Sequence, residues 1–246
     1  MLISVVANRQ CQIVGSVGAQ ALTFTSNGSM TQTALIGISS IADLETITII
    51  VTATAADGST VTANASLAVV EGTFESEEID FTPEVGALLE PDIAVPEQER
   101  LEALYVHAST QRLWQGLFIW PHKGNLTSSF GIRRLYDGTL SSYHGGLDIA
   151  GATGDPVLAV ATGKVILAET LQVRGNAVII DHGAGVFTAY FHMQDVVVQA
   201  GQLVRQGDLI GHVDSTGLST GPHLHWELLV GGVPVDPIEW TVRVFP

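Results

Sequence analysis

Two stretches near the N-terminus largely alternate between apolar and polar residues. In 46–54, threonines alternate with isoleucine, valine and alanine, and 61–70 repeats the pattern. A period of two predicts strands with one buried and one solvated face, and Asp57-Gly58 between them is a hairpin signal. We therefore expect residues 1–72 to form a small immunoglobulin-like β-sandwich. It shows no cluster of catalytic residue types, so a spacer or docking role is expected.

The pattern changes in residues 73–116, which are acidic and contain three prolines. Such a composition predicts a linker. A short helix is expected to begin at Pro96, because proline favours the first helical turn. Its apolar stripe would be Leu101, Leu104, Tyr105 and Ala108.

From residue 117 onward, short apolar strands again alternate with glycine-rich turns. This pattern predicts a second, larger and mostly antiparallel β domain over 117–246. Hydrophobic residues make up 46% of the chain and charged residues 14%, so the material for a folded core is present. The predicted fold class is all-β.

The charge balance narrows the possible partners. Asp and Glu number 25 against 10 Lys and Arg, for a net charge of −15. Nucleic acid is excluded as a partner, because a phosphate backbone requires a basic surface. No apolar run reaches about 18 residues, so no transmembrane helix is expected. The single cysteine, Cys11, cannot form an intramolecular disulfide.

Six of the eight histidines lie after residue 140, and three motifs hold most of the candidate chemistry. The first is SYHGGLDIAG, in which His144 and Asp148 would share one face of a strand. Imidazole and carboxylate are both zinc ligands, although this spacing alone is more often a surface pair.

The second motif is HLHWELLV. His223, His225 and Glu227 would project from one side of a strand, and the apolar residues between them from the other. Two neighbouring buried imidazoles are costly unless something pairs with them.

The third motif is VFTAYFHM, in which alternation places His192 on the face of Thr188 and Tyr190, and Met193 on the opposite face. His182, followed by glycine, is expected in a turn.

Together the motifs suggest a catalytic zinc, which typically has three protein ligands and a water. Four histidines and one aspartate would supply three ligands and leave two imidazoles for proton transfer or oxyanion stabilisation. No cysteine lies nearby, so a thiolate site is excluded.

The same residues resemble the lysostaphin/LytM-type zinc metalloendopeptidases, which have a duplicated-hybrid-motif fold. The resemblance runs from about residue 117 to the C-terminus and includes SSFGIRR, HGGLDIAG, GNAVIIDHG, TAYFHM and GPHLHWEL in the family's order. It implies Zn²⁺ ligation by His144, Asp148 and His225. It also implies catalytic roles for His192 and His223.

The resemblance further implies a substrate, peptidoglycan stem peptides or cross-bridges, and therefore an extracytoplasmic location. An export signal is expected to be absent from this sequence, because MLISVVANRQ lacks the features of one. Asn176 and Tyr136 are the candidates for substrate binding. Which of His192 and His223 is the general base, which bond is cut, and the oligomeric state all stay open.

Two rival functions belong to other classes. The chain could be a non-catalytic regulator of cell-wall hydrolases, or a wall-binding module that acts through residues 1–72. The complete set of five site residues favours the enzyme. The acidic linker could also lie over the metal groove and block it, but a solvated linker is the expectation.

Overall fold

The computed structural model describes residues 1–18, 20–26, 30–79, 81–106, 109–136 and 139–245, without the side chains of 136 and 139–141. Strands dominate, and nearly all pairings among them are antiparallel, which confirms the all-β class. No helix within the described ranges is long and apolar enough to cross a membrane.

The N-terminal region consists of two antiparallel sheets, with strand orders β1-β5-β4 and β3-β2-β6-β7. The strands are β1 (Leu2–Val6), β2 (Cys11–Val17), β3 (Gln20–Ala21), β4 (Thr25–Ser26), β5 (Thr31–Leu35), β6 (Thr46–Ala55) and β7 (Thr60–Ala68). A small apolar cluster forms around Val17, Ile36 and Ile49. The immunoglobulin-like topology stays a prediction, and so does the boundary at residue 72.

The predicted hairpin is confirmed, because β6 and β7 pair from Thr46–Ala68 to Thr54–Thr60. Gly58 in the turn has a φ of 82°, a conformation that favours glycine. The expected buried face is wrong for β7, in which Val61 is 69% exposed. β7 is an edge strand of its sheet, so its side chains have a neighbouring strand on one side only.

The segment predicted to be a linker is structured. It contains β8 (Ser76–Glu78), α1 (Pro83–Gly86), a 3₁₀ turn (Ala87–Leu89) and α2 (Pro91–Tyr105). The predicted helix exists but begins earlier than expected: Pro91 occupies the first turn and Pro96 lies inside the helix. Both prolines suit a helical start by their fixed φ, so the sequence signal alone could not choose between them.

The C-terminal region is built on a large antiparallel sheet of order β17-β14-β15-β16-β19-β12-β9, with β13, β18 and β20 attached. Its strands are β9 (Leu126–Ser128), β10 (Arg133–Tyr136), β11 (Thr139–Tyr143), β12 (Gly146–Ala150), β13 (Pro156–Leu158), β14 (Gly163–Thr170), β15 (Asn176–Gly183), β16 (Val186–Val196), β17 (Leu203–Val204), β18 (Leu209–Val213), β19 (His223–Val230) and β20 (Val233–Val235). A short helix, α3 (Ile238–Val242), follows. β10 and β11 form a separate sheet, in which β8 pairs parallel with β10.

Side chains alternate across β19 as the sequence predicts. Leu224, Trp226 and Leu228 are fully buried in the main apolar core. His225 lies on the opposite face, where its ring stacks on Phe191 of the neighbouring strand with 5.8 Å between ring centroids. Burial of the apolar side chains of β19 therefore fixes the position of His225 on the opposite face of the strand.

The alternation breaks in β16 at His192, and the predicted face for this residue is wrong. Tyr190 and Met193 both belong to the main core, whereas Phe191 belongs to a second cluster on the other side of the sheet. His192 has a φ of 61°, which is rare for a non-glycine residue in a strand. This backbone turn reverses the faces of His192 and Met193, so His192 points toward His223 and His225 instead of into the core.

His182 lies in strand β15 and is fully buried, so the expected turn position is wrong. Its Nδ1 is 2.9 Å from the Thr162 carbonyl, and its Nε2 is 2.7 Å from the Thr188 hydroxyl. A neutral imidazole donates to the carbonyl and accepts from the hydroxyl. Burial lowers the pKa of His182 to about 4.

This burial predicts a loss of stability in mild acid. The unfolded chain protonates His182 near pH 6.5, but the folded chain resists protonation down to about pH 4. The contribution is therefore full above pH 6.5 and is lost as the pH falls toward 4, by up to about 3 kcal/mol. Urea unfolding at pH 7 and pH 4.5 should show a smaller drop for His182→Gln than for the wild type. Equal drops in the two proteins would contradict this assignment.

Candidate metal centre

Three side chains converge at the junction of β12 and β19. Asp148 and His225 are directly opposed in the register of these antiparallel strands, and His144 precedes β12. The His144 Nε2 lies 3.0 Å from Asp148 Oδ1 and 3.0 Å from His225 Nδ1. Asp148 Oδ1 lies 2.7 Å from His225 Nδ1. The structure thus brings together the three residues that the sequence predicts as ligands.

The outer nitrogens of the two rings are occupied by hydrogen-bond acceptors. His144 Nδ1 lies 2.8 Å from the Ser129 carbonyl, and His225 Nε2 lies 3.0 Å from Glu227 Oε1. In each neutral ring the N–H must point at that acceptor, so the inward nitrogen carries a lone pair. Two imidazole lone pairs and a carboxylate oxygen then face one point, an arrangement that suits a bound cation.

The donor set fits zinc. Zn²⁺ binds imidazole nitrogen and carboxylate oxygen, and ligating histidines usually donate their other N–H to a carbonyl or carboxylate. Both supporting contacts are present here, to Ser129 and to Glu227. The local charge also favours a cation: burial opposes protonation of His225, yet Asp148 and Glu227 raise the pKa of this imidazole.

Arg134 holds the second oxygen of Asp148. Its guanidinium donates to Asp148 Oδ2 at 3.1 Å and to Glu77 of β8 at 3.2 Å. Asp148 Oδ1 is therefore the oxygen left for the metal. Neither Arg134 nor Glu77 is among the site residues that the sequence motifs predict. The adjacent arginines of FGIRR were the available signal, but only the β10 register shows which one faces Asp148.

Two further histidines flank the three ligand candidates. The rings of His192 and His223 lie 5.1 Å apart, and His223 Nε2 is 3.6 Å from Asp148 Oδ1. His192 Nδ1 lies 2.7 Å from the Thr216 carbonyl, and His223 Nδ1 lies 2.8 Å from the Gly221 carbonyl. Each ring is thereby held in one orientation, and each keeps Nε2 for a ligand in the groove.

The environment of His192 favours its neutral form. Burial, together with the nearby His225 and His223, holds the pKa of His192 well below its usual range. A neutral imidazole with a free Nε2 has the lone pair that a proton acceptor or hydrogen-bond acceptor requires. The left-handed backbone of His192 is a strained feature of the kind that clusters at functional sites.

Grooves approach this cluster from two sides. One is lined by β8 residues, Ser128 and 218–223, and the other by α2 residues, Arg174 and Glu227. Residues from the segment predicted as a solvated linker therefore stand against the site on both sides. That expectation is wrong for β8 and α2, which pack on the C-terminal region.

The two candidates for substrate binding stay predictions. The Asn176 side-chain amide donates to the carbonyls of Met193 and Gln194, so it holds the chain next to His192. Tyr136 ends β10, and its side chain lies outside the described part of the structure.

Removing the Glu227 carboxylate should weaken metal binding without removing a ligand. In Glu227→Ala, the His225 N–H loses its acceptor, and outer partners of this kind are typically worth about 10–100-fold in metal affinity. Glu227→Gln keeps an acceptor oxygen and should lose less. Competition for zinc against a chromophoric chelator measures both variants, and equal affinity in all three proteins would contradict the proposed support of His225.

The comparisons with known proteins agree with this geometry. Residues 142–237 match the model of Peptidase family M23. The chain is 39% identical over 135 residues to peptidoglycan DD-endopeptidase ShyA of Vibrio cholerae, covering 54% of this chain and 31% of that protein. It is 46% identical over 95 residues to DD-carboxypeptidase/endopeptidase Mpg of Neisseria meningitidis, covering 39% of this chain and 22% of Mpg.

Among solved structures, a peptidase M23 from Pseudomonas aeruginosa has a TM-score of 0.72 at 24% identity, covering 100% of this chain and 94% of that one. At that identity the likeness concerns the fold. The match of residues 142–237 to the M23 family model and the similarity to ShyA confirm the lysostaphin/LytM-type resemblance. The chain spans less than a third of the length of ShyA.

Proposed function

We propose that the C-terminal region, residues 117–246, is a zinc-dependent endopeptidase that hydrolyses peptide bonds in peptidoglycan stem peptides or cross-bridges. The observation that carries the proposal is the convergence of two imidazole lone pairs and one carboxylate oxygen beside two further oriented histidines. The similarity to ShyA and Mpg supports peptidoglycan as the substrate. Because peptidoglycan lies outside the cytoplasm, we propose an extracytoplasmic location for the protein.

Under this proposal His144, Asp148 and His225 hold the zinc. When bound, the ion supplies a Lewis acid that lowers the pKa of a water and polarises a carbonyl. Arg134 and Glu227 keep Asp148 and His225 in their ligating orientations. The remaining chemistry falls to the side chains around the groove.

His192 and His223 would divide the proton transfers. One accepts a proton at Nε2 from the attacking water, and the other stabilises the oxyanion or protonates the leaving amine. Burial lowers the pKa of His192, so its ring is neutral and Nε2 offers a lone pair to the groove. His223 Nε2 lies beside Asp148 and suits contact with the reacting atoms. Whichever histidine is the base, both imidazoles contact the peptide bond that is hydrolysed.

The upstream segments have supporting roles in this proposal. Residues 1–72 act as a spacer or docking module, and residues 73–116 join them to the peptidase region. A non-catalytic regulator of wall hydrolases is the alternative function. The retention of all five site residues, with their supporting hydrogen bonds, favours the enzyme over that alternative.

Mass spectrometry of fragments released from defined peptidoglycans tests the proposal. Fragments ending in new amino and carboxyl groups are expected, and a chelator should abolish them. Peptidoglycan that remains intact while the chain holds stoichiometric zinc would instead support the non-catalytic alternative.

A further inference from the structure

The carboxylate of Glu97, on helix α2, is bound by two successive backbone N–H groups of the peptidase region. Its Oε2 accepts from Val173 N and its Oε1 accepts from Arg174 N, each at 2.9 Å. Successive N–H groups aimed at one acceptor make a concavity that binds anions. The Arg174 guanidinium is engaged elsewhere: it donates to Gln98 Oε1 at 2.9 Å and lies over the Phe191 ring.

The loop that carries these N–H groups is held by its own hydrogen bonds. The Val173 carbonyl accepts from Leu218 N at 2.8 Å, and Leu171 N donates to the Gly175 carbonyl at 2.8 Å. Gly175 has a φ of 64°, and an added Cβ there would lie 2.3 Å from the Thr216 hydroxyl oxygen. The two donors are therefore held in position by contacts that do not involve Glu97, as preorganised binding requires.

This loop is directly coupled to the candidate catalytic site. The backbone N–H of His192 donates to the Arg174 carbonyl at 2.9 Å. Val173, Arg174, His192, His225 and Glu227 line the same groove. A ligand lying in that groove toward the metal ligands would reach the two N–H groups.

Helix α2 does not depend on Glu97 for its attachment. Leu101 and Tyr105 are buried in the apolar cluster that contains Phe187, and Arg100 pairs with Glu169 on β14. Tyr105 and Phe187 have ring centroids 5.1 Å apart. The contact of Glu97 with the loop is thus additional to the packing that holds the helix.

We propose that the backbone N–H groups of Val173 and Arg174 form a carboxylate-binding subsite, and that Glu97 occupies it in place of a carboxylate on the peptide substrate. The expected ligand is a peptide with a free carboxylate close to the bond that is cut. The identity of that substrate rests on the proposed function, but the subsite itself does not. Glu97 is part of the same chain, so it competes with free ligands for the two N–H groups at an effective concentration in the millimolar range. Its removal therefore strengthens the binding of carboxylates added in solution.

Two charge-matched variants test the subsite. Glu97→Gln removes one negative charge and opposes an amide NH₂ to one of the two N–H donors. Asp92→Asn removes the same charge from the exposed first turn of the same helix. The ¹H–¹⁵N signals of Val173 and Arg174 are followed while N-acetylalanine, or its uncharged amide, is added.

The carboxylate probe should bind Glu97→Gln about 10-fold more tightly than the wild type or Asp92→Asn, and the amide should bind none of them there. Unchanged signals of Tyr105 and Phe187 would show that the helix stays docked. Equal binding of N-acetylalanine to all three proteins, or equal binding of acid and amide, would overturn the subsite.

Hydrolysis separates the subsite from the proposed function. With peptides that differ only in a free or amidated carboxylate, Glu97→Gln should raise kcat/KM for the acid form alone. Probe binding without hydrolysis of any peptidoglycan peptide would sustain the subsite and contradict the endopeptidase. Equal kcat/KM for the acid and amide peptides, in both the wild type and Glu97→Gln, would support the endopeptidase and contradict the subsite.

Discussion

The His225→Ala chain is expected to lose both its zinc and its hydrolytic activity, the latter by about 10³-fold or more. Metal-ion catalysis contributes several kcal/mol to the transition state, and each 1.36 kcal/mol corresponds to tenfold in rate. His225 supplies one of three converging donors, and without it His144 and Asp148 form an incomplete site. Zinc content and hydrolysis of purified peptidoglycan are measured on the same preparation.

His212→Ala is the matched control for this variant. His212 lies on β18 and pairs with Asp195 at 2.8 Å, outside the ligand cluster. It should keep its zinc and its activity. Retained stoichiometric zinc in His225→Ala, with a folded circular dichroism spectrum in both variants, would remove His225 from the ligand set.

The second large effect is expected from His223→Ala, which should keep its zinc while hydrolysis falls by about 10²–10⁴-fold. General acid–base catalysis by a positioned side chain has this magnitude. The His223 ring is oriented by the Gly221 carbonyl, and it stands beside Asp148 without being one of the three converging donors. Zinc content and kcat measured together distinguish this role from ligation.

His192→Asn provides the parallel test on the other side of the groove. Asparagine tolerates the left-handed backbone that His192 adopts, so the variant should fold while lacking the imidazole. Its kcat should also fall with zinc retained. Full activity in either variant would end the assignment of that histidine, and loss of zinc would make it a ligand.

The metal cluster was predictable because each part has a local sequence signal. The HGGLD motif places His144 and Asp148 together, and the apolar residues of HLHWELLV fix which side of β19 faces the core. Strand alternation follows from backbone geometry, so it could be applied without a structure. The pairing of Asp148 with His225 then needs only the register of two strands.

The position of His192 could not be predicted by the same rule. Alternation places it in the core beside Tyr190, and only the left-handed φ at this residue turns it toward the other histidines. That conformation is stabilised by tertiary contacts, such as the bond from Asn176 to the Met193 carbonyl. The family resemblance predicts a catalytic role for His192, which stays a prediction; its ring lies near those of His223 and His225, on a different face from the one predicted.

The acidic segment shows a different limit of sequence reasoning. Its composition resembles that of a solvated linker, but β8 and α2 find partners that are far away in the sequence. Glu77 pairs with Arg134, and Glu97 binds the Val173–Arg174 loop. The spacing of charged residues along the sequence does not indicate which distant residues they will contact. The possibility that this segment lies against the groove was open from the sequence, and the contacts of Glu77 and Glu97 support it.

We propose that one zinc ion, held by His144, Asp148 and His225, enables this chain to cut peptide bonds in peptidoglycan. The most direct measurement is the release of new amino groups from purified peptidoglycan while metal-stripped protein is titrated with zinc. Release is expected to rise from background and to level off at one zinc per chain. Release that is unchanged by zinc, or that is equal in the stripped protein, would contradict the claim.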